Sequence, residues 1–138
     1  SIDEVINAMK TGNAPEIARF FDNTVEINMP QKNNSYSKSQ AELVLKDFFS
    51  TNPVKAFEII HKGENSGSQY CIGTLITKNG SFRTTIFMKQ KGDKQVLQEI
   101  TFENKWRHDR NYLHKPRISG VLFLGSSLAL LSWTLISN

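Results

Sequence analysis

The chain has 138 residues, 38% hydrophobic and 22% charged, which suits one globular core and leaves no room for a second. A single cysteine excludes an internal disulfide framework and a multi-cysteine zinc site, and three scattered histidines make no metal pair. The net charge of +4 falls entirely on residues 105–138, with five basic residues against one acidic, while residues 1–104 carry 12 of each sign, so the folded part offers no basic face for nucleic acid.

Ser1-Ile-Asp-Glu4 reads as a capping box, followed by Ile2, Val5, Ile6 and Met9 at helical spacing and a stop at Gly12. Asn13-Ala-Pro-Glu16 opens a second short helix, with Ile17, Ala18, Phe20 and Phe21 as its apolar face and Asp22-Asn23 as its end. Val25, Ile27 and Met29 alternate with Glu26 and Asn28, which predicts a strand over 24–29 closed by Pro30. Gln31–Ser35 reads as a polar loop. Ser39-x-x-Glu42 predicts the start of a third helix, buried along Ala41, Val44, Leu45, Phe48 and Phe49 and ended by Ser50-Thr-Asn-Pro53.

From Val54 onward the pattern is a meander. Strand 54–62 leads into a loop at Gly63–Gly67, strands 68–78 and 81–90 join through Asn79-Gly80, and Gly92-Asp93 turns the chain into strand 95–103. Helices followed by consecutive strands predict an α+β domain, with the helices packed on one face of a curved antiparallel sheet. The domain is expected over 1–104, followed by a basic linker at 105–117 and an apolar tail at 118–137. That tail holds 20 uncharged residues, about the length of a membrane-crossing helix, but five Ser and two Gly weaken it. Three readings of it stand side by side: a membrane anchor, a cover over the sheet, and a non-native extension. No cleavable signal peptide and no initiator Met opens the sequence, which fits a removed leader or an artificial start.

The opening helices, the strand VEINMP, the segment SYSKSQAELVLKDFF and the hairpin CIGTLITKNGSFRTTIFMK resemble a bacterial domain-of-unknown-function family, number 4783 of that series, found mainly in Bacteroidetes. The resemblance covers residues 1–104 and implies a nuclear-transport-factor-2-like, or cystatin-like, cone. It also implies an exported protein, periplasmic or otherwise outside the cytoplasm. It implies little about chemistry, because that superfamily holds enzymes, ligand carriers and dimerisation modules alike.

Enzymes on such a cone place a carboxylate, His or Tyr inside it, where desolvation raises a carboxylate's pKa. If Lys78 faces Ser81 across the hairpin, one sheet face carries Tyr70, Ile72, Arg83, Thr85, Phe87, Ile100 and Phe102. The other carries Cys71, Gly73, Leu75, Phe82, Ile86, Met88, Leu97 and Glu99. The first is richer in aromatic and β-branched residues and is taken as the helix-facing side. Tyr70 and Arg83 then become pocket candidates, while Glu99 points outward and becomes an acid/base candidate only if the faces are reversed. His61, expected to share a face with Phe57 and Ile59 near a strand end, is the fourth pocket candidate, although a lone histidine there is more often a structural hydrogen-bonder than a base. Cys71, without a neighbouring cation on its strand, reads as an inert core residue.

No nucleophile, base and orienting group come together, so no catalytic residue, metal or cofactor is assigned. The reading is an exported module that binds a small apolar ligand or a protein without catalysis. The alternative is an isomerase, dehydratase or hydrolase using a polar group inside the cone. A homodimer is expected through the uncovered second face at Leu75, Phe82, Ile86, Met88 and Leu97, and membrane contact is expected only through 118–137.

Overall fold

The computed structural model describes residues 1–104. The readings of 105–117 as a linker and of 118–137 as an anchor, a cover or an extension lie outside the described residues. Helix α1 (Ile2–Lys10) starts on the Ser1/Glu4 capping box, and its exit is shaped by Gly12 at φ +66°. Helix α2 (Ala14–Ala18) is capped by Asn13, whose side chain accepts from the Glu16 amide at 3.1 Å. It ends earlier than its apolar face predicts. Phe21 leaves the helix to open strand β1 (Phe21–Met29) opposite Leu97, and it is buried there.

Gln31–Ser35 is not a loop. Lys32–Ser37 forms strand β2, paired antiparallel to β1 from Met29↔Lys32 to Thr24↔Ser37 without interruption. Its side chains lack apolar alternation because it borders solvent; hydrogen bonding to β1 makes it a strand. Helix α3 (Lys38–Thr51) is capped by Ser37 with Gln40, not by Ser39 with Glu42. Ser37 is extended at φ −65° and ψ 163°, so β2 runs straight into the helix and the upstream cap is used. Ala41, Leu45, Phe48 and Phe49 are buried as the periodicity requires, with Val44 partly buried beside them.

The remaining strands are β3 (Val54–Asn65), β4 (Ser68–Thr77), β5 (Gly80–Lys91) and β6 (Lys94–Asn104). The sheet order is β2-β1-β6-β5-β4-β3. The sheet is mixed, because β1 runs parallel to β6 while the other neighbours are antiparallel. The meander from β3 to β6 keeps the expected order, but β3 runs on through Gly63–Asn65, paired to β4, so the expected loop at Gly63–Gly67 shrinks to a Ser66-Gly67 turn. The insertion of β1 beside β6 is what brings the N-terminal segment into the sheet.

The β4–β5 turn lies one residue earlier than Asn79-Gly80 suggests. Thr77 faces Gly80, and Lys78 and Asn79 occupy the turn. The Thr77 hydroxyl donates to the Gly80 carbonyl at 2.8 Å and accepts from the Asn79 amide at 3.1 Å, while the Asn79 side chain donates to the Thr51 carbonyl at the end of α3. The register moves by an even number of positions, so residues on β4 and β5 keep the predicted sharing of faces.

The choice of face is reversed. Cys71, Gly73 and Leu75 of β4, Phe82, Thr84, Ile86 and Met88 of β5, and Leu97 of β6 are buried beneath the helices. Two bulges then re-sort the flanking strands. Phe87 faces Glu99 but Met88 faces Leu97, so Gln98 is an extra residue. Ile100 and Phe102 consequently turn inward, and Glu99 outward. Between Ile59↔Gly73 and His61↔Ile72, Ile60 is extra, which puts His61 on the outer face and leaves Phe57 on the inner. The apolar patch predicted to drive a dimer is therefore the core of the domain. At its centre Phe48 stacks on Phe102 at 4.3 Å between centroids and meets Phe82 and Phe49 edge-on.

Candidate functional site

Pairing β2 to β1 and packing α3 behind it leaves a groove between the hairpin and the helix. Its volume is about 470 Å³. Met29, Lys32 and Tyr36 form the sheet wall; Leu43, Val44, Asp47, Phe48, Thr51 and Asn52 form the other. The α3 residues recur at three- and four-residue spacing, so they share one face of the helix. Tyr36 stands opposite Val25 and Lys32 opposite Met29, which puts both on the helix-facing side of β2. The floor is Phe48, anchored in the aromatic core, whereas Leu43 is 64% exposed at the wall. A phenol, an ammonium, a carboxylate and an amide surround an apolar floor. An apolar floor with a few polar groups at its rim has the chemistry to orient an apolar body, and the lining residues include no Ser, Cys or His.

Sequence reasoning missed this groove because it missed β2. The available signal was the spacing: only Pro30 and Gln31 separate Met29 from Lys32, which is a two-residue hairpin connection.

The four candidates His61, Tyr70, Arg83 and Glu99 all lie on the outer face, away from the helices. Tyr70 and Arg83 do not enter the cone. Tyr70 is half-buried, its ring lying over Gly63, its cross-strand partner; a Cβ added there would stand 2.5 Å from the phenol oxygen. The small residue lets the phenol reach His61 Nε2 at 2.7 Å. Glu99 is the end of another local network. Its Oε2 accepts from Asn28 Nδ2 at 3.3 Å and from the Thr101 hydroxyl at 3.1 Å, and Asn28 Nδ2 also donates to Thr101 at 3.1 Å. Tyr70 and Glu99 flank Phe87 on successive strands, so their backbones are roughly 10 Å apart. Arg83 is exposed between Thr74 and Glu103. The structure thus joins His61 to Tyr70, gives Glu99 a different set of partners, and leaves Arg83 apart.

Cys71 is fully buried on the inner face, and burial pushes its thiol up from the ordinary range despite Lys62 nearby, which fits an inert core residue. No group of three or more metal-ligating side chains occurs among the described residues. No described helix is long and apolar enough to cross a membrane.

The comparisons with known proteins agree with this architecture. Residues 2–103 match the model of the family described as Domain of unknown function (DUF4783). The chain belongs to this family. A DUF4783 family protein from Bacteroides uniformis is 31% identical, with a TM-score of 0.72 over 75% of this chain and 95% of that one. One from Bacteroides fragilis is 32% identical, with a TM-score of 0.70 over 74% and 96%. An NTF2-like protein of unknown function from Cytophaga hutchinsonii is 11% identical with a TM-score of 0.56, covers 79% and 90%, and shares the fold alone. No curated protein matches the chain. For DUF4783 members the fold is therefore the nuclear-transport-factor-2-like α+β arrangement, and the chemistry of the site has to be argued from its residues.

Proposed function

We propose that this DUF4783 protein is a non-catalytic binding module acting outside the cytoplasm, and that the groove between α3 and the β1–β2 hairpin holds an apolar ligand. One observation carries the reading: a groove of about 470 Å³, within the size range of small-molecule sites, is floored by a core aromatic and rimmed by a few polar groups. The enzyme alternative needed a polar group inside the cone, and its four candidates instead sit on the opposite side of the sheet, where only His61 and Tyr70 meet. The extracytoplasmic location rests on the exported character implied by the sequence resemblance, and cell fractionation tests it.

Native mass spectrometry against a library of apolar metabolites tests the binding function. The expected result is a retained ligand whose binding is lost in Leu43→Trp, a substitution at an exposed position that fills the groove without disturbing the core. Retention that is indifferent to Leu43→Trp places the ligand elsewhere, and no retention at all removes the reading.

A further inference from the structure

The two edges of the sheet are built differently. The β3 edge is broken by register shifts between Val54 and Ala56 and between Ile59 and His61, and it carries Lys55, Glu58, Lys62 and Glu64. Bulges and charges of this kind keep other strands from adding to an edge. The β2 edge has neither device over its centre. Its pairing to β1 is continuous, Asn33–Ser37 is free of charge and proline, and Asn33, Asn34, Ser35 and Ser37 are exposed. Among the described residues β2 pairs only with β1, and every second residue of such a strand turns its N–H and C=O away from that neighbour.

We propose that the β2 edge receives an extended segment of a partner polypeptide, which pairs its backbone with β2 and places an apolar side chain in the adjoining groove. The proposal rests on the groove being a binding site and specifies its occupant. Alternating donors and acceptors along an edge are complementary to another strand, and strand addition reads alternate side chains through pockets beside that edge. Here the pocket is on the correct face: Lys32, Asn34 and Tyr36 point to the helix side of β2, so the added strand's side chains on that face meet Tyr36, Leu43, Val44 and Phe48. A second copy of the chain fits less well, because β2 offers only Lys32, Asn34 and Tyr36 on that face, with no aliphatic side chain for the groove.

The probe is a synthetic peptide of four alternating leucine–threonine pairs with a lysine at each end, titrated into the full chain and followed by calorimetry and backbone-amide NMR. Two further versions carry N-methyl groups on the leucine or on the threonine amides. With leucines seated over the groove, only one of these two sets faces β2. The expected result is binding with shifts at Lys32–Ser37, abolished by one methylation pattern, retained with the other, and weakened about tenfold or more by Leu43→Arg. Equal binding of both methylated peptides overturns strand addition while leaving the groove as a side-chain site. Shifts confined to β3 overturn it as well. No peptide binding by a protein that retains an apolar metabolite overturns the partner proposal and spares the small-ligand reading; absence of both removes both. A dimer in sedimentation velocity with amide broadening at Lys32–Ser37 without peptide assigns the edge to a second copy and overturns the partner proposal.

Discussion

Along β5, Phe82, Thr84, Ile86 and Met88 are buried under the helices, while Arg83, Thr85, Phe87 and Lys89 look outward and remain partly or fully accessible. The inner face is closed by ring-on-ring packing around Phe48. The outer face is a mosaic of short polar networks, His61 with Tyr70 and Glu99 with Asn28 and Thr101, set among Ile72, Ile76 and Phe87. On β4 and β5 the two faces carry similar numbers of apolar side chains, Cys71, Leu75, Phe82, Ile86 and Met88 inward and Tyr70, Ile72, Ile76 and Phe87 outward, so composition does not distinguish them on these strands. The difference lies in what covers them: an inward residue loses nearly all its water, whereas an outward one keeps solvent as a partner. Substitutions inside are therefore expected to cost stability, and those outside to leave it nearly unchanged.

The largest effect is expected from Phe102→Ala, which removes a fully buried ring stacked on Phe48; a loss of about 3–5 kcal/mol should appear in urea unfolding. A loss below about 1 kcal/mol would mean that the inner face is loosely packed and differs little from the outer one.

Gly73→Ala tests the same face by overfilling it. The new Cβ would stand 2.7 Å from the Glu58 carbonyl oxygen and from the Phe57 ring, and part of that obstacle is backbone. A destabilisation of about 1–3 kcal/mol is expected in thermal or chemical denaturation, and a neutral result would show that β3 can move away from β4.

Asp22 ties β1 to β6 and to the end of β5 and makes the contrast pH-dependent. The hydrogen bond from Gln98 holds its carboxyl below the usual carboxylate range, helped by the Asn23 amide and by Lys91 and opposed by burial. A carboxylate whose folded-state pKa is depressed contributes its full stabilisation above its unfolded value, near pH 4, and loses it as the pH falls through the folded value below that. The wild-type protein should therefore lose more stability than Asp22→Asn between about pH 5 and about pH 2. Parallel acid-unfolding curves for the two proteins would count against the Gln98–Asp22–Lys91 linkage.

The smallest effect is expected at Tyr70→Phe. It deletes the hydroxyl that meets His61 while keeping the ring over Gly63, so stability should change by less than about 1 kcal/mol. The local readout is the His61 imidazole in NMR, whose Nε2 environment should change while inner-face signals stay in place. A large loss of stability would show that the outer network is structural.

The features read correctly from sequence are those decided within a few residues. The Ser1/Glu4 box and the Asn13 cap start their helices through contacts three positions apart, the Ser1 ammonium donating to the Glu4 carboxylate and the orphan Glu16 amide donating to the Asn13 side chain. The stripe Ala41, Leu45, Phe48, Phe49 is buried because helical spacing aligns it on one side, and the family resemblance over the domain supplied the architecture. Tertiary structure decided the rest. β2 has no apolar period, and it is a strand because β1 needs a partner for its free side. The extra residues Ile60 and Gln98 are set by the strands opposite, and each reverses the facing of the residues beyond it. The outward placing of His61 was therefore not available locally, and Glu99 points outward as expected only because the bulge offsets the reversed choice of face. The choice of face for Tyr70 and Arg83 was open for a similar reason: both faces of β4 and β5 alternate with nearly equal apolar content, and only the packing of the helices excludes water from one of them.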